Sequence, residues 1–250
     1  MDNKQLFEQC KQAEEDFDLK GWDFSALEGR MVVPDVPWDY RRVVKSYLKD
    51  SDKLLDMGTG GGEVLLTLKH PYSNTYATEA YEPNYELCKK MLSPLGITVV
   101  QEYEKIPFAD EMFDFITNRH ESFDLAEVSR ALKRGGYFFT QQVRNRNFYE
   151  LAEALNGKVE LDNPSHSIEK YADALERLGF KIIMKDEVTL PTKFLDIGAV
   201  VFYAKAIPWE IPNFTVETHF DKLCKIQQEI DAKGFFQATG GRFLLASRKT

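Results

Sequence analysis

Glycine and acidic residues are concentrated in one stretch of the chain, Leu54-Leu55-Asp56-Met57-Gly58-Thr59-Gly60-Gly61-Gly62-Glu63. Apolar residues lead into Asp56, and the segment after Gly62 becomes apolar at helical spacing, which predicts a strand, a tight turn and a helix start. Glycine is needed where the backbone takes a positive φ or where a ligand approaches the main chain closely. Residues 58–62, which we call the glycine turn, are therefore a candidate ligand platform.

A D-x-G-x-G-x-G run after a strand suits either a dinucleotide or an adenosyl sulfonium cofactor, because both place a ribose and a polar tail over such a turn. The dinucleotide fingerprint is G-x-G-x-x-G, whereas Gly58, Gly60 and Gly62 occupy alternate positions. The charge of Asp56 disfavours a pyrophosphate and suits a cofactor that carries an ammonium and a sulfonium. Dinucleotide binding remains an alternative that this charge argument disfavours.

Two further acidic residues follow the next two predicted strands. Glu79 ends the predicted strand 75–79, where a carboxylate can accept hydrogen bonds from both ribose hydroxyls. The alternative role of Glu79 is that of an acid at a helix N-terminus or a surface charge. Glu102 follows the predicted strand 97–100 and precedes Pro107-Phe108. Each acid is thus predicted at the carboxyl end of a strand, as Asp56 is.

This set of motifs resembles the class I S-adenosylmethionine-dependent methyltransferases, especially the group that contains the ubiquinone-type C-methyltransferases. The resemblance covers residues 43–143 motif by motif, and the closing strand 242–249 is similar to the family's ending. A bacterial subgroup is more similar still, through segments 29–31, 37–40 and 140–143, but it provides no substrate. The resemblance implies S-adenosyl-L-methionine as the cofactor and methyl transfer as the reaction.

The resemblance also implies a role for each motif. In the family, the glycine turn holds the methionine portion, the acid after the second strand holds the ribose, and an acid after the third strand binds the adenine amino group. That last acid is usually Asp, so Glu102 departs from the pattern. The cofactor-binding residues implied here are Asp56, Gly58, Thr59, Gly60, Glu79, Ala80, Glu102, Tyr103 and Asn118.

Residues after the fourth and fifth predicted strands are candidates for contact with the methyl acceptor. His120 is the only candidate general base, because imidazole titrates near neutral pH; packing beside the cofactor is its alternative role. Arg119, with Arg144 and Arg146 farther along, would suit an acceptor carboxylate or phosphate. The predicted substrate contacts are Trp38, Tyr40, Arg119 and His120, and no metal ligands are predicted.

The elements that position these residues are short apolar strands that alternate with helical stretches, which is typical of a parallel sheet with both faces covered. The predicted fold is α/β: a Rossmann-like, doubly wound, seven-stranded, mostly parallel sheet with an antiparallel C-terminal strand. We expect a single domain over 1–250, with an N-terminal helix and lid (1–40), a core (41–190 and 240–250) and a cap-like insertion (191–239). Aromatic residues of the insertion would line an apolar pocket or bury a dimer face; these are Phe194, Phe202, Tyr203, Trp209 and Phe214.

Composition limits the partners and the compartment. The chain has 32 basic and 40 acidic residues, a net charge of −8, so a nucleic-acid partner is disfavoured. Three cysteines without metal-type spacing indicate reduced thiols, and there is neither an apolar leader nor a membrane-length apolar run. We therefore expect a cytoplasmic monomer or homodimer that methylates a small or medium-sized molecule. The alternatives are an RNA base methyltransferase and an S-adenosylmethionine-binding regulatory protein without catalysis.

Overall fold

The computed structural model describes residues 2–19, 24–102, 105–145, 147–157 and 166–250. The strands are β1 (Met31–Val32), β2 (Leu54–Met57), β3 (Thr75–Glu79), β4 (Thr98–Gln101), β5 (Phe113–Arg119), β6 (Leu132–Val143), β7 (Phe180–Phe194) and β8 (Phe236–Lys249). The helices are α1 (Asn3–Glu15), α2 (Tyr40–Lys45), α3 (Glu63–Thr67), α4 (Glu82–Leu92), α5 (Leu125–Ala131), α6 (Tyr149–Asn156), α7 (Ile168–Arg177), α8 (Ile197–Ala206) and α9 (Val216–Lys233). No helix in these ranges combines the length and apolar character needed to cross a membrane.

The strands form one sheet in the order β1-β7-β8-β6-β5-β2-β3-β4. Strands β2 to β6 pair in parallel, and β8 runs antiparallel to β6. The predicted α/β class, the mostly parallel sheet and the antiparallel C-terminal strand are confirmed. The residues that the structure describes form eight strands where the sequence predicts seven, because β1 is only two residues long and too short to show a periodic pattern.

Successive residues in the central strands face opposite sides of the sheet, and both sides are buried. In β2, Leu54 packs in one hydrophobic cluster and Leu55 in the other. In β6, Phe139 and Phe138 divide between the same two clusters. Residues of α2, α3 and α4 join the first cluster, and residues of α5 and α7 join the second. Helices therefore cover both faces of the sheet, which leaves the loops that follow the strand ends as the place for a ligand site.

The chain divides into two compact units, each with its own core. One unit contains Val36–Asn145, Asn163–Val188 and Arg242–Thr250, which includes the glycine turn and the five parallel strands. The other contains Met1–Asp35, Arg146–Asp162 and Thr189–Gly241. In this second group of segments, α1 packs on α8 and α9, and α8 is buried along almost all of its length.

The aromatic residues of the predicted insertion lie mostly inside the core of their own unit. The hydrophobic cluster built on α8 contains Phe194, Phe202, Tyr203 and Phe214, whereas Trp209 is 57% exposed. The Tyr203 ring lies 5.6 Å from the Phe194 ring, an edge-on arrangement that aromatic pairs favour. Most of these rings therefore stabilise the unit that carries them.

The two-sided burial of β2 leads to a stability prediction. Leu54→Ala should lower the free energy of unfolding by about 2–5 kcal/mol, because Leu54 is fully buried and its truncation leaves a cavity. Leu87→Ala is the matched control, since Leu87 is 45% exposed on α4, and its effect should stay within about 0.5 kcal/mol. Urea unfolding of both variants measures the difference, and equal losses would contradict this account of the core.

Candidate functional site

The glycine turn lies at the carboxyl end of β2, between β2 and α3. Gly58 and Gly60 have φ angles of +63° and +61°, in the left-handed region that glycine enters without strain. The Thr59 amide donates a hydrogen bond to the Thr78 carbonyl at 3.0 Å. The Gly60 amide donates to Oε2 of Glu79 at 2.8 Å. The turn is thus held against the end of β3 by both main chain and side chain.

The missing side chains of Gly58 and Gly60 have different consequences. A Cβ at Gly58 would overlap the side chain of Glu121, so the missing side chain allows Glu121 to lie against the turn. A Cβ at Gly60 would have no atom within 4 Å, so open space adjoins the main chain there. Gly60 therefore meets the requirement of a ligand platform, and Gly58 meets a packing requirement inside the protein.

Glu79 lies at the end of β3 and is only 3% exposed. One carboxylate oxygen accepts from Gly60, and the other accepts from the Tyr81 amide at 3.0 Å. Because each carboxylate oxygen has two lone pairs, both oxygens keep the capacity for a second hydrogen bond. The main chain thus fixes Glu79 in an orientation that can receive a pair of hydroxyl donors.

Asp56 precedes the turn and is held from the neighbouring strand. The Thr117 hydroxyl donates to Oδ1 of Asp56 at 2.7 Å, and the two residues are paired across β2 and β5. Burial raises the pKa of Asp56 above its ordinary value, and the charge of Glu79 contributes in the same direction. The carboxylate therefore occupies an environment that opposes its negative charge.

Burial also raises the pKa values of two more acidic residues, Glu102 and Glu121. Burial raises the pKa of Glu102, and the charges of Glu121 and Glu79 add to the shift. Burial also raises the pKa of Glu121, and the charge of Glu79 again contributes. We call Asp56, Glu79, Glu102 and Glu121 the acidic edge. Like charges in a partly desolvated site oppose one another, and a bound cation would stabilise all of them together.

Glu121 was not predicted as a cofactor residue. It lies in the loop after β5, and its approach to the turn depends on the missing side chain of Gly58. The sequence places Glu121 next to His120, in a segment predicted to face the acceptor. Only the three-dimensional pairing of β2 with β5 reveals its second neighbour.

Asn118 carries a polar group that lacks a partner. It is fully buried, and its Oδ1 accepts hydrogen bonds from the Thr140 hydroxyl and the Gln142 amide. Its Nδ2 has no hydrogen-bond partner among the residues that the structure describes. A buried unpaired donor is unfavourable, so this amide is suited to an acceptor atom on a bound ligand. Asn118 is paired with Met57 across the strands, one residue before the glycine turn.

His120 lies within a hydrogen-bonded chain with Trp38 and Gln141. The Trp38 Nε1–H donates to Oε1 of Gln141 at 2.8 Å, and Nε2 of Gln141 lies 3.3 Å from Nε2 of His120. The backbone of His120 takes a φ of +60°, and its amide donates to the Gln141 carbonyl at 2.9 Å. A positive φ is rare for residues other than glycine and is often found at functional sites.

The electrostatic environment of His120 opposes its protonation. Loss of surrounding water lowers the pKa of His120 to about 3, and the charges of Arg242 and Arg119 contribute. His120 is nonetheless exposed at the protein surface as a whole residue. Such an imidazole is neutral at physiological pH and is a weak base, because a general base works best with a pKa near the working pH.

Tyr40 and Arg119 lie near both the acidic edge and the hydrogen-bonded side chains of Trp38, Gln141 and His120. The Arg119 guanidinium lies 5.9 Å from the centre of the Tyr40 ring, within cation–π range. Tyr40 is only 8% exposed, and burial together with the charge of Asp56 raises the pKa of its hydroxyl. The predicted substrate residues thus share one environment with Asp56.

The remaining predicted residues divide into three groups. Ala80 is exposed, and the adjacent Tyr81 is 57% exposed, so an adenine-binding role for this segment stays a prediction. Arg144 pairs with Glu187 at 2.8 Å, which engages its charge within the protein. Tyr103 and Arg146 lie outside the described residues. Within the described ranges, no group of three or more His, Cys, Asp or Glu side chains is arranged to hold a metal ion.

The raised pKa of Asp56 predicts how stability depends on pH. A carboxyl whose pKa is higher in the folded state contributes stability below its unfolded pKa, and that contribution is lost as the pH rises through the folded value. Asp56→Asn, which keeps an acceptor for Thr117, should therefore raise the free energy of unfolding at pH 7. The gain should shrink as the pH falls toward the ordinary Asp value of 3.8.

Urea unfolding at several pH values measures this difference. Asp35→Asn is the control, because Asp35 is exposed, and it should change little at any pH. A loss of stability in Asp56→Asn at pH 7 would contradict the proposed environment of Asp56.

Known proteins share this architecture. A family model described as a methyltransferase domain matches residues 55–140. Among solved structures, BH2331 of Bacillus halodurans C-125, provisionally described as a methyltransferase, is 19% identical, with a TM-score of 0.58 over 84% of this chain and 98% of that chain. A functionally unknown protein from Deinococcus radiodurans R1 is 14% identical, with a TM-score of 0.56 over 99% and 98% of the two chains.

The YcgJ protein of Bacillus subtilis is 18% identical, with a TM-score of 0.54 over 84% of this chain and 97% of that chain. Identities this low establish a shared fold and nothing finer. No curated protein matches the sequence. The residues that the family model matches contain the glycine turn, Glu79, Glu102 and His120. These similarities support a class I S-adenosylmethionine-dependent methyltransferase domain over residues 55–140.

Proposed function

We propose that this protein transfers the methyl group of S-adenosyl-L-methionine to a small or medium-sized acceptor. The observation that carries the proposal is the glycine turn tied to Glu79 beside three further acids. When bound, S-adenosyl-L-methionine supplies an electrophilic methyl group on a positively charged sulfonium, together with an ammonium, a carboxylate, a ribose diol and an adenine.

The residues at the strand ends fit these groups by chemical type. The acidic edge favours a cationic ligand, since burial and, to a smaller extent, repulsion between the acids raise the pKa values of Asp56, Glu102 and Glu121, and a positive charge would offset both effects. The free capacity of the Glu79 oxygens suits a ribose diol. The unpaired Nδ2 of Asn118 suits an acceptor on the methionine portion, and Glu102 suits the adenine amino group.

On the acceptor side, the protein's main task is alignment. In-line transfer at carbon requires that the acceptor lone pair lie along the methyl–sulfur axis and that competing water be excluded. Trp38, Tyr40, Arg119 and His120 are proposed for this task, because the charge of Asp56 acts on Tyr40, Arg119 acts on Asp56, and Trp38 is linked to His120. The transfer therefore depends on positioning more than on proton removal.

The other hypotheses have less support. RNA base methylation is disfavoured by the net charge of −8, because nucleic-acid affinity depends on phosphate neutralisation. A dinucleotide is disfavoured because its pyrophosphate would lie against the acidic edge. A regulatory protein without catalysis would bind the same cofactor and differ only in the absence of turnover.

Calorimetric titration with S-adenosyl-L-methionine tests the binding claim. Wild-type protein should bind, and Asp56→Ala and Glu79→Ala should each bind about 10- to 100-fold more weakly, since a hydrogen bond to a charged group contributes about 1.5–3 kcal/mol. Glu86→Ala is the control, because Glu86 is exposed on α4, and its affinity should match the wild type. Circular dichroism verifies folding. Absent wild-type binding, or undiminished binding by both site variants, would overturn the proposal.

The acidic edge also predicts discrimination between the cationic cofactor and its neutral product. Glu121→Gln keeps the length and polarity of the side chain and removes one negative charge beside the glycine turn. We expect the ratio of S-adenosylhomocysteine to S-adenosylmethionine dissociation constants to fall by about 5- to 30-fold, since about 1–2 kcal/mol is typical of a partly buried charge. A ratio equal to that of the control Glu86→Gln would contradict this role for Glu121.

Turnover separates an enzyme from a binding protein. Wild-type protein, S-adenosyl-L-methionine and a panel of small acceptors should release S-adenosylhomocysteine and a methylated product detectable by mass spectrometry. Tight cofactor binding without product from any acceptor in a broad panel would favour the regulatory alternative.

A further inference from the structure

Gln141 connects two side chains whose chemistry determines how its amide is oriented. The indole Nε1–H of Trp38 can only donate a hydrogen bond, so the group 2.8 Å away on Gln141 must be the carbonyl oxygen. The NH2 group of Gln141 therefore faces Nε2 of His120, at 3.3 Å. An amide NH2 can only donate, so Nε2 of His120 must carry a lone pair. In a neutral imidazole the proton then lies on Nδ1.

The backbone fixes the same ring from a second direction. Arg119 and Gln141 are paired between β5 and β6, and the His120 amide donates to the Gln141 carbonyl at 2.9 Å. With a φ of +60°, His120 leaves the end of β5 in a conformation that non-glycine residues rarely adopt. One residue, Gln141, thus contacts both the main chain and the ring of His120.

The charged neighbours of the His120 ring also favour its neutral form. Among the residues that the structure describes, Arg242 and Arg119 act electrostatically on the ring, and both disfavour an imidazolium. A positively charged His120 would also direct an N–H toward the Gln141 NH2, which cannot accept it. The surroundings therefore select a neutral ring, and the hydrogen bond from Gln141 selects its tautomer.

We propose that Gln141 is a positioning residue that holds His120 as the neutral Nδ1–H tautomer, so that His120 offers a hydrogen-bond donor, and not a base, to the methyl acceptor. This inference rests on the proposed function. It also indicates the acceptor class: an anionic oxygen such as a carboxylate or a phenolate, which accepts from Nδ1–H and is attracted by Arg119 and Arg242. An oxygen lone pair forms the bond to the methyl carbon while the electrons of the carbon–sulfur bond remain on sulfur, so no proton has to be removed.

Nuclear magnetic resonance of histidine labelled with nitrogen-15 reads the tautomer directly in the free protein, with His120→Ala used to assign the signals. Wild-type His120 should show a protonated Nδ1 and an unprotonated Nε2 throughout pH 5–8. Gln141→Glu should reverse this, because a carboxylate accepts from Trp38 with one oxygen and from His120 Nε2–H with the other. Its His120 signals should become Nε2–H or titrate within that pH range.

Gln228→Glu is the matched control, since it adds the same charge at an exposed position of α9 and should leave the His120 signals unchanged. A wild-type His120 that carries its proton on Nε2, or that titrates between pH 5 and 8, would overturn the inference. An unchanged tautomer in folded Gln141→Glu would overturn the role of Gln141.

The acceptor class has its own test. Matched acceptors that offer a carboxylate, a phenolate or a neutral amine should give methylated product only with the anionic oxygens, and exclusive methylation of the amine would overturn that assignment. The tautomer is measured without cofactor, so failure of cofactor binding would contradict the proposed function while leaving the tautomer result intact.

Discussion

The hydrogen bond from the Gly60 amide to the Glu79 carboxylate joins the ends of two neighbouring strands, and the geometry of the site depends on it. Glu79 is almost completely buried, so without Gly60 and Tyr81 as donors its charge would be poorly compensated. The same bond holds the glycine turn open beside Gly60, where no atom lies near an added Cβ. A local backbone requirement thus positions both the platform and the acid that faces it.

This constraint has an electrostatic consequence. Parallel strands end at one edge of a sheet, so acids at the carboxyl ends of β2, β3, β4 and β5 are brought together, and burial raises the pKa of Asp56, Glu102 and Glu121. Such an arrangement reduces the stability of the free protein and favours a cation when one is bound. Functional sites commonly show this exchange of stability for activity.

Local residue spacing predicts the strands of the fold, and it identifies the candidate site residues that lie at the ends of those strands. Asp56, the glycine turn and Glu79 are recognisable because each lies at the end of a short apolar strand or directly after it, and the observed limits of β3 agree with the prediction. Glu121 beside Gly58, the unpaired amide of Asn118 and the contact of Gln141 with His120 depend on strand order, which no local pattern encodes. The aromatic residues of 191–239 show the same limit, since their periodicity does not distinguish a pocket wall from the core that most of them form.

A crystal structure of the protein with S-adenosylhomocysteine bound would test the central claim most directly, because it shows which atoms the adenosyl group contacts. The account predicts that the adenosyl group lies over Gly60, with both ribose hydroxyls within about 3 Å of the Glu79 oxygens. It also predicts that the Asn118 Nδ2 gains a hydrogen bond. A ligand bound away from the carboxyl ends of β2 and β3, or a ribose without contact to Glu79, would contradict the account.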